Sequence, residues 1–246
     1  VYFYHFAAEM GPAPLIDWTM RFGFGQRTGI DLPDEARGFV PTPTNTSAWS
    51  KGSWSPAETR ALAIGQSALA VTPLQIARLM AAIANGGRLV TPRIGRGLGL
   101  PTGDSNSPAD DQDLAAVAPS REVNGLSSGT LAAVRRGLER VVADPKGTAH
   151  ATVYLDSLSI AGKTGTAETG GGQADHAWFA GYAPADRPKV AFVVVLEHAG
   201  GGSDAAGPLA RRLLTKMQKL GYFGRGQLAQ DATAEDRYQP EAPARE

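Results

Sequence analysis

A lysine between two glycines, Lys163 in SIAGKTGTAET (residues 159–169), is the position in this sequence that most invites a chemical reading. The run before it is small and apolar and reads as a buried strand. Hydroxyls follow at Thr164, Thr166 and Thr169. An ammonium at the end of such a strand loses part of its hydration, so it needs a partner or a task. Three readings compete. The plainest is a lysine that snorkels from a strand end into water. The second is a phosphate loop, because Gly-Lys-Thr closes the pattern G-x-x-x-x-G-K-[ST]. It fails on position: the first glycine falls on Ser157, and Leu-Ser-Ile-Ala (158–161) alternates like a strand where flexible backbone is required. The third is K-T-G, the last element of the set S-x-x-K, S-x-N and K-T-G that serves acyl transfer through a serine. It requires a strand, and strand-like runs and a closing helix follow here. Without that context Thr164 and Thr166 read as β-branched strand formers.

Other chemistries find less support. Cysteine is absent, which removes thiol nucleophiles, disulfides and cysteine-ligated metals without deciding the compartment. His5, His150, His176 and His198 lack metal-ligand spacing, so structural roles and no metal are expected. Lysines plus arginines number 24 and acids 24, so no net charge draws nucleic acid or an anionic membrane surface. The apolar run VAFVVVL (190–196) is far below the ~18–20 residues that span a bilayer.

The elements that must position Lys163 follow from periodicity and punctuation. Residues 1–24 read as two short helices broken at GPAP (11–14), followed by a long irregular connection. SPAE (55–58) and TPLQ (72–75) share one grammar of hydroxyl N-cap, proline at the first helical position and Glu or Gln at N3. The second of these helices carries Leu74, Ile76, Leu79, Met80 and Ile83 and stops at NGG. Residues 96–122 form a polar excursion without a clear period. A helix over about 128–142 presents Leu131, Val134, Leu138 and Val141 on one face. Strand-like runs occupy 157–168, 176–183 and 189–197, the last two joined as an antiparallel hairpin. GGGSDAAG reads as a hinge before a final helix built on Leu209, Leu213, Leu214, Met217 and Leu220; an anion-binding loop is the second reading. The chain from 223 to 246 is polar and proline-bearing and reads as a disordered tail after one domain over 1–222. The class is α+β, an antiparallel sheet flanked by helices.

At this point the sequence resembles a known family. FGFGQRTGIDLPDEARGFVPT (22–42), AIGQSALAVTPLQIARLMAAIANGGRLVTPRI (63–94), LERVVADPKGTAH (138–150), IAGKTGTAE (160–168), HAWFAGYAP (176–184) and GGGSDAAGPLARRLL (200–214) are similar to the transpeptidase domain of class B penicillin-binding proteins of the elongation type. The resemblance implies the serine β-lactamase/DD-transpeptidase fold and an enzyme that cross-links peptidoglycan stem peptides through a serine acyl-enzyme, with no cofactor. It implies that Lys163 places positive charge at the active-site wall and that the Thr166 backbone N–H serves the oxyanion hole. It further implies that Thr164, Gly165 and Thr166 meet the substrate, an extended peptide pairing with residues 166–169. Gln66, in the AIGQ turn, is a candidate for lining the same cleft, with a plain helix-end role as its alternative. Partners implied are the D-Ala-D-Ala stem peptide, β-lactams and a polytopic glycan polymerase. An anchored, extracytoplasmic location is implied too. Neither S-x-x-K nor S-x-N occurs in usable form: Ala48 stands three before Lys51, and Ser105-Asn-Ser lies in the excursion. The expectation is therefore a C-terminal part of such an enzyme, lacking the nucleophilic serine, with Val1 within roughly 10–12 Å of the Lys163 ammonium. A β-lactam sensor or non-catalytic cell-wall module of the same fold is the alternative function.

Overall fold

The helix starts signalled by SPAE and TPLQ both form in the computed structural model, which describes residues 2–46, 52–94 and 120–224. Helices α1 (Tyr2–Met10) and α2 (Pro12–Arg21) are separated at Gly11, whose φ of 72° ends the first run. Helix α3 (Pro56–Leu62) is capped reciprocally by Ser55 and Glu58, and α4 (Pro73–Ala84) by Thr72 and Gln75. Gln75 does more than cap. At 2% exposure its Nε2 donates to the Gln26 carbonyl (2.8 Å) and the Arg37 carbonyl (2.9 Å), pinning the irregular connection onto α4.

Strand β1 (Arg88–Val90) pairs antiparallel with β2 (Ser120–Glu122), so the last three residues of the expected excursion are a strand. Helix α5 (Ser128–Ala143) forms, but its inner face differs from the predicted stripe. Leu131 and Val142 are buried, whereas Val134 is 41% exposed. Arg135 turns inward instead and donates to the Ile83 and Ala84 carbonyls, both at 2.7 Å. These are among the orphan acceptors at the end of α4. A hydrophobicity count misses an arginine that works as a helix cap.

After the short helix α6 (His150–Val153), strands β3 (Ala161–Ala167), β4 (His176–Ala183) and β5 (Val190–Leu196) make one antiparallel sheet in the order β3-β4-β5. A π-helical turn (Gly202–Ala206) leads into α7 (Gly207–Lys219). The residues buried in α7 are Gly207, Ala210 and Leu214, while Leu209 and Leu213 are each 40% exposed. Of the expected face Leu214 is buried and Leu209 and Leu213 point outward, because two small residues let the helix lie closer to its neighbours than leucines would.

Alternation along the strands divides the core in two. Phe179, Phe192 and Val194 pack with Ala206, Ala210 and Leu214 on one face of the sheet. Ala161, Ala180 and Tyr182 pack with Met80, Ile83 and Leu131 on the other. The sheet is flanked by helices on both faces, as the order of elements predicts.

Candidate functional site

Strand β3 carries the Lys-Thr-Gly run and, among the described residues, has a sheet neighbour on one edge only. In an antiparallel ladder, residues alternate between exchanging both backbone bonds with the partner strand and pointing both groups away. Contacts on β3 decide which do which. The Thr166 carbonyl accepts from Gln66 Nε2 at 3.2 Å, and the Thr164 carbonyl accepts from Lys163 Nζ at 2.6 Å. Neither donor belongs to β4, so Thr164 and Thr166 direct their carbonyls, and with them their N–H groups, to the open edge. Gly165 pairs inward with Trp178.

Lys163 lies opposite Ala180, on the face that packs against α4 and α5. More than a third of its surface is open to solvent, yet enough protein lies around the ammonium to desolvate it and lower its pKa below the ordinary lysine value. Desolvation by burial is the cause of that shift, and no carboxylate among the described residues opposes it. An ammonium has three donors, and here Thr164 O is its one acceptor among the described residues. The charge is held at the edge and left largely unmatched.

The other face of β3 is lined with hydroxyls. Thr164 and Thr148 approach at 3.1 Å between Oγ1 atoms, and Ser203 Oγ donates to the Thr148 carbonyl at 2.7 Å. Thr166 Oγ1 accepts from the Gly202 N–H at 3.2 Å. That bond occupies an acceptor position and leaves the Thr166 proton available to donate outward. Gly202 is pressed onto the strands: a Cβ there would sit 2.1 Å from Gly165 O and 2.5 Å from Trp178 O. At Gly165 a Cβ would meet Trp178 Cβ at 3.2 Å, so a side chain would crowd the sheet as well as the edge.

Lys163, Thr164, Gly165, Thr166 and Gln66 therefore come together. The side chains of Lys163 and Thr166 leave opposite faces of β3, and what they share is its edge. The strand ends at Ala167. Residues 168–169 turn away, and Thr169 Oγ1 bonds to the Gln173 and Ala174 carbonyls, so a partner strand has a shorter template than 166–169 suggests. Sequence reasoning missed Thr148 and Ser203, although both lie in stretches with the family's character, and it read the Gly202 loop as a hinge. Val1, Lys51 and residues 105–107 lie outside the described residues. The histidines bond locally: His150 Nδ1 lies 2.9 Å from Val142 O, and His198 N–H donates to His176 Nδ1 at 3.0 Å. Among the described residues no cluster of three metal-ligating side chains forms. The concavities lined by Glu139, Tyr154 and Asp156 and by Arg27, Glu35 and Arg37 do not include β3's Lys163–Thr166. Geometry and charge, not cavity size, single out the edge.

Comparison with known proteins gives one consistent result. Residues 1–215 match the family described as penicillin binding protein transpeptidase domain. The chain is 34% identical over 227 residues to the peptidoglycan D,D-transpeptidase MrdA of Haemophilus influenzae, a match covering 87% of this chain and 34% of that protein. Among solved structures, the complex between penicillin-binding protein PBP2 and MreC from Helicobacter pylori superposes with a TM-score of 0.75 at 31% identity, over 90% of this chain and 38% of that one. A structure of a peptidoglycan synthase complex that coordinates polymerization and crosslinking gives a TM-score of 0.68 at 31% identity, over 92% and 36%. The chain spans about a third of the length of the curated relatives it matches.

Proposed function

The chain belongs to the penicillin-binding protein transpeptidase domain family, and from that premise we propose that it supplies one wall of the active site of a peptidoglycan D,D-transpeptidase. The observation that carries this reading is the open edge of β3, where the unmatched Lys163 ammonium and the outward Thr166 N–H stand together.

The donor stem peptide lies along that edge as an added strand, held by main-chain bonds. A serine from a Ser-x-x-Lys motif, which these 246 residues do not contain, attacks the carbonyl of the penultimate D-Ala. The serine O–C bond forms, the peptide C–N bond breaks, and the terminal D-Ala leaves as an amine that takes up a proton. Negative charge develops on the carbonyl oxygen during attack, and the Thr166 N–H donates to it. Lys163 attracts the substrate carboxylate and lowers the energy of the oxyanion that forms in its positive potential. The Thr166 hydroxyl, its oxygen already accepting from Gly202, donates to the same carboxylate. An acceptor amine then attacks the ester and regenerates the serine. β-Lactams enter by the same first step and stop at the acyl-enzyme.

The proposal extends to setting. The enzyme acts on the extracytoplasmic face of the membrane through an anchor outside these residues; no described helix is long and apolar enough to cross a membrane. Its partners are a glycan polymerase and an MreC-like scaffold, by analogy with the complexes of its relatives.

Intact-mass spectrometry with a labelled penicillin tests the reading. A polypeptide joining this chain to its Ser-x-x-Lys segment should gain one adduct, and the 246 residues alone should gain none. In the longer polypeptide Lys163→Ala should slow acylation by two or more orders of magnitude, as loss of an oxyanion-site charge or donor costs ~3–4 kcal/mol. An unchanged rate overturns the assignment.

A further inference from the structure

The Gln66 carboxamide occupies the one carbonyl of the β3 edge that an incoming peptide N–H would need. Its bond to Thr166 O spans 100 positions of sequence and measures 3.2 Å. The turn that presents it is fixed on both sides. Gln66 N–H donates to Ala61 O at the end of α3, and beyond the turn Phe39 and Ala70 exchange backbone bonds of 2.7 and 2.9 Å. Gly65 and Ser67, on either side of Gln66, are both left-handed, with φ of 78° and 75°. A serine in that region is strained, and such strain persists only where the surroundings over-determine it. The backbone is thus rigidly aimed, while the long half-buried side chain ends in a single neutral hydrogen bond.

That combination is suited to exchange. A neutral amide-to-carbonyl bond is among the weaker contacts a substrate could be asked to displace, and an amide N–H on the donor replaces it with a bond of the same kind. A donor with an ether, ester or carbon atom at that position cannot. It leaves Thr166 O to Gln66 or strips it bare.

We propose that Gln66 is a specificity gate on the β3 edge, holding the place of a donor-substrate amide N–H and yielding only to acyl donors that carry one. The inference rests on the acyl-transfer reading above and adds to it the class of donor that is favoured and the residue that enforces the preference. Gln66 in this role competes with substrate for one atom instead of supporting bound substrate.

The test compares acylation of the Ser-x-x-Lys-containing polypeptide by two β-lactams, one with an acylamino side chain and one with a purely alkyl side chain that has neither N–H nor O–H. Wild type, Gln66→Ala and Gln66→Leu are measured, the leucine keeping bulk without a donor. Removing the competitor should raise the second-order rate for the acylamino compound by about two- to tenfold, the equivalent of one neutral hydrogen bond, and leave the alkyl compound nearly unchanged. In the wild type the Gln66 side-chain amide protons should shift in NMR spectra on acylation by the first compound and not by the second. A fall in the acylamino rate would make Gln66 a supporting contact, and an unchanged ratio between the compounds would leave it no role in selection; either overturns the gate. An equal loss for both compounds with a lowered melting point marks a structural residue and also overturns it. If wild type reacts with neither compound, the acyl-transfer reading itself falls, and the gate with it; acylation with an unchanged ratio sinks the gate alone.

Discussion

Replacing Gly202 with alanine should damage β3 from behind, through the Gly165 backbone and the bond to Thr166 Oγ1, without changing any side chain of the open edge. The added Cβ would lie 2.1 Å from Gly165 O, 2.5 Å from Trp178 O and 2.9 Å from Gly165 N, all backbone atoms of the β3–β4 ladder. A carbon resting on a carbonyl oxygen wants about 3.3 Å, so the π-helical turn must retreat by roughly 1 Å. No side chain can rotate to relieve the clash. Overpacking of this kind costs ~1–3 kcal/mol, and loss of the Gly202 N–H bond to Thr166 Oγ1 adds ~0.5–1.5 kcal/mol. A total of about 2–4 kcal/mol corresponds to a fall of roughly 4–16 °C in melting midpoint for a chain of this size. The control is Gly137→Ala in the middle of α5, where a Cβ meets nothing within 4 Å. It should stabilise by about 0.5–1 kcal/mol through helix propensity alone. Calorimetric melts of the two variants beside wild type decide the matter. A Gly202→Ala midpoint equal to wild type would show that the turn does not press on the ladder, and the argument for how Thr166 is held would fail.

Three further outcomes are expected. Lys163→Met should raise the melting midpoint at neutral pH, because burial lowers the folded-state pKa below the reference 10.5 and the charged lysine costs stability below both values. Between the lowered value and 10.5 the unfolded chain binds more protons, so wild type gains stability with rising pH and the difference between the two melts should close there; a constant difference would place the ammonium in free solvent. Gln75→Ala should cost about 2–5 kcal/mol in urea unfolding, since it removes a cap and both part-buried bonds to the Gln26 and Arg37 carbonyls; a loss under ~1 kcal/mol would mean water replaces the amide. Removing residues 225–246, which carry no apolar periodicity, should leave the melting midpoint almost unchanged, and a drop of many degrees would refute the boundary drawn from composition.

Local grammar was the most readable part of this fold. The two capping boxes, the antiparallel β4–β5 hairpin and the break at Gly11 each follow from a few adjacent residues whose chemistry permits little else. Faces were read less well, because periodicity assumes that the largest apolar residues point inward. In α5, Arg135 takes an inward position to serve the end of α4, and Val134 is displaced to the surface. In α7, Gly207 and Ala210 make the contact together with Leu214, while Leu209 and Leu213 are left outside. At the site, Lys163 and the threonines were legible as a motif, whereas Thr148, Ser203 and Gly202 were not. Their roles depend on approach between segments 16 to 55 positions apart, and nothing local announces such an approach.

The electrostatic character of the β3 edge follows from which of its groups are already occupied. Both outward carbonyls accept bonds from the chain's own side chains, Thr164 O from Lys163 and Thr166 O from Gln66. Among the described residues the outward N–H groups of Thr164 and Thr166 have no such partners, and the Thr166 hydroxyl has its oxygen engaged and donates to none of them. Add a lysine with one acceptor, and the resting edge presents donors and positive charge with its negative ends covered. Such an edge is biased toward carboxylates and developing oxyanions, and against the neutral strands that aggregate on ordinary exposed edges. The same covering explains how an unpaired strand edge can persist in the absence of substrate. It is covered toward peptides in general, and the roles proposed for Lys163 and Gln66 would open it to one whose carboxylate reaches the ammonium while its amide displaces the carboxamide.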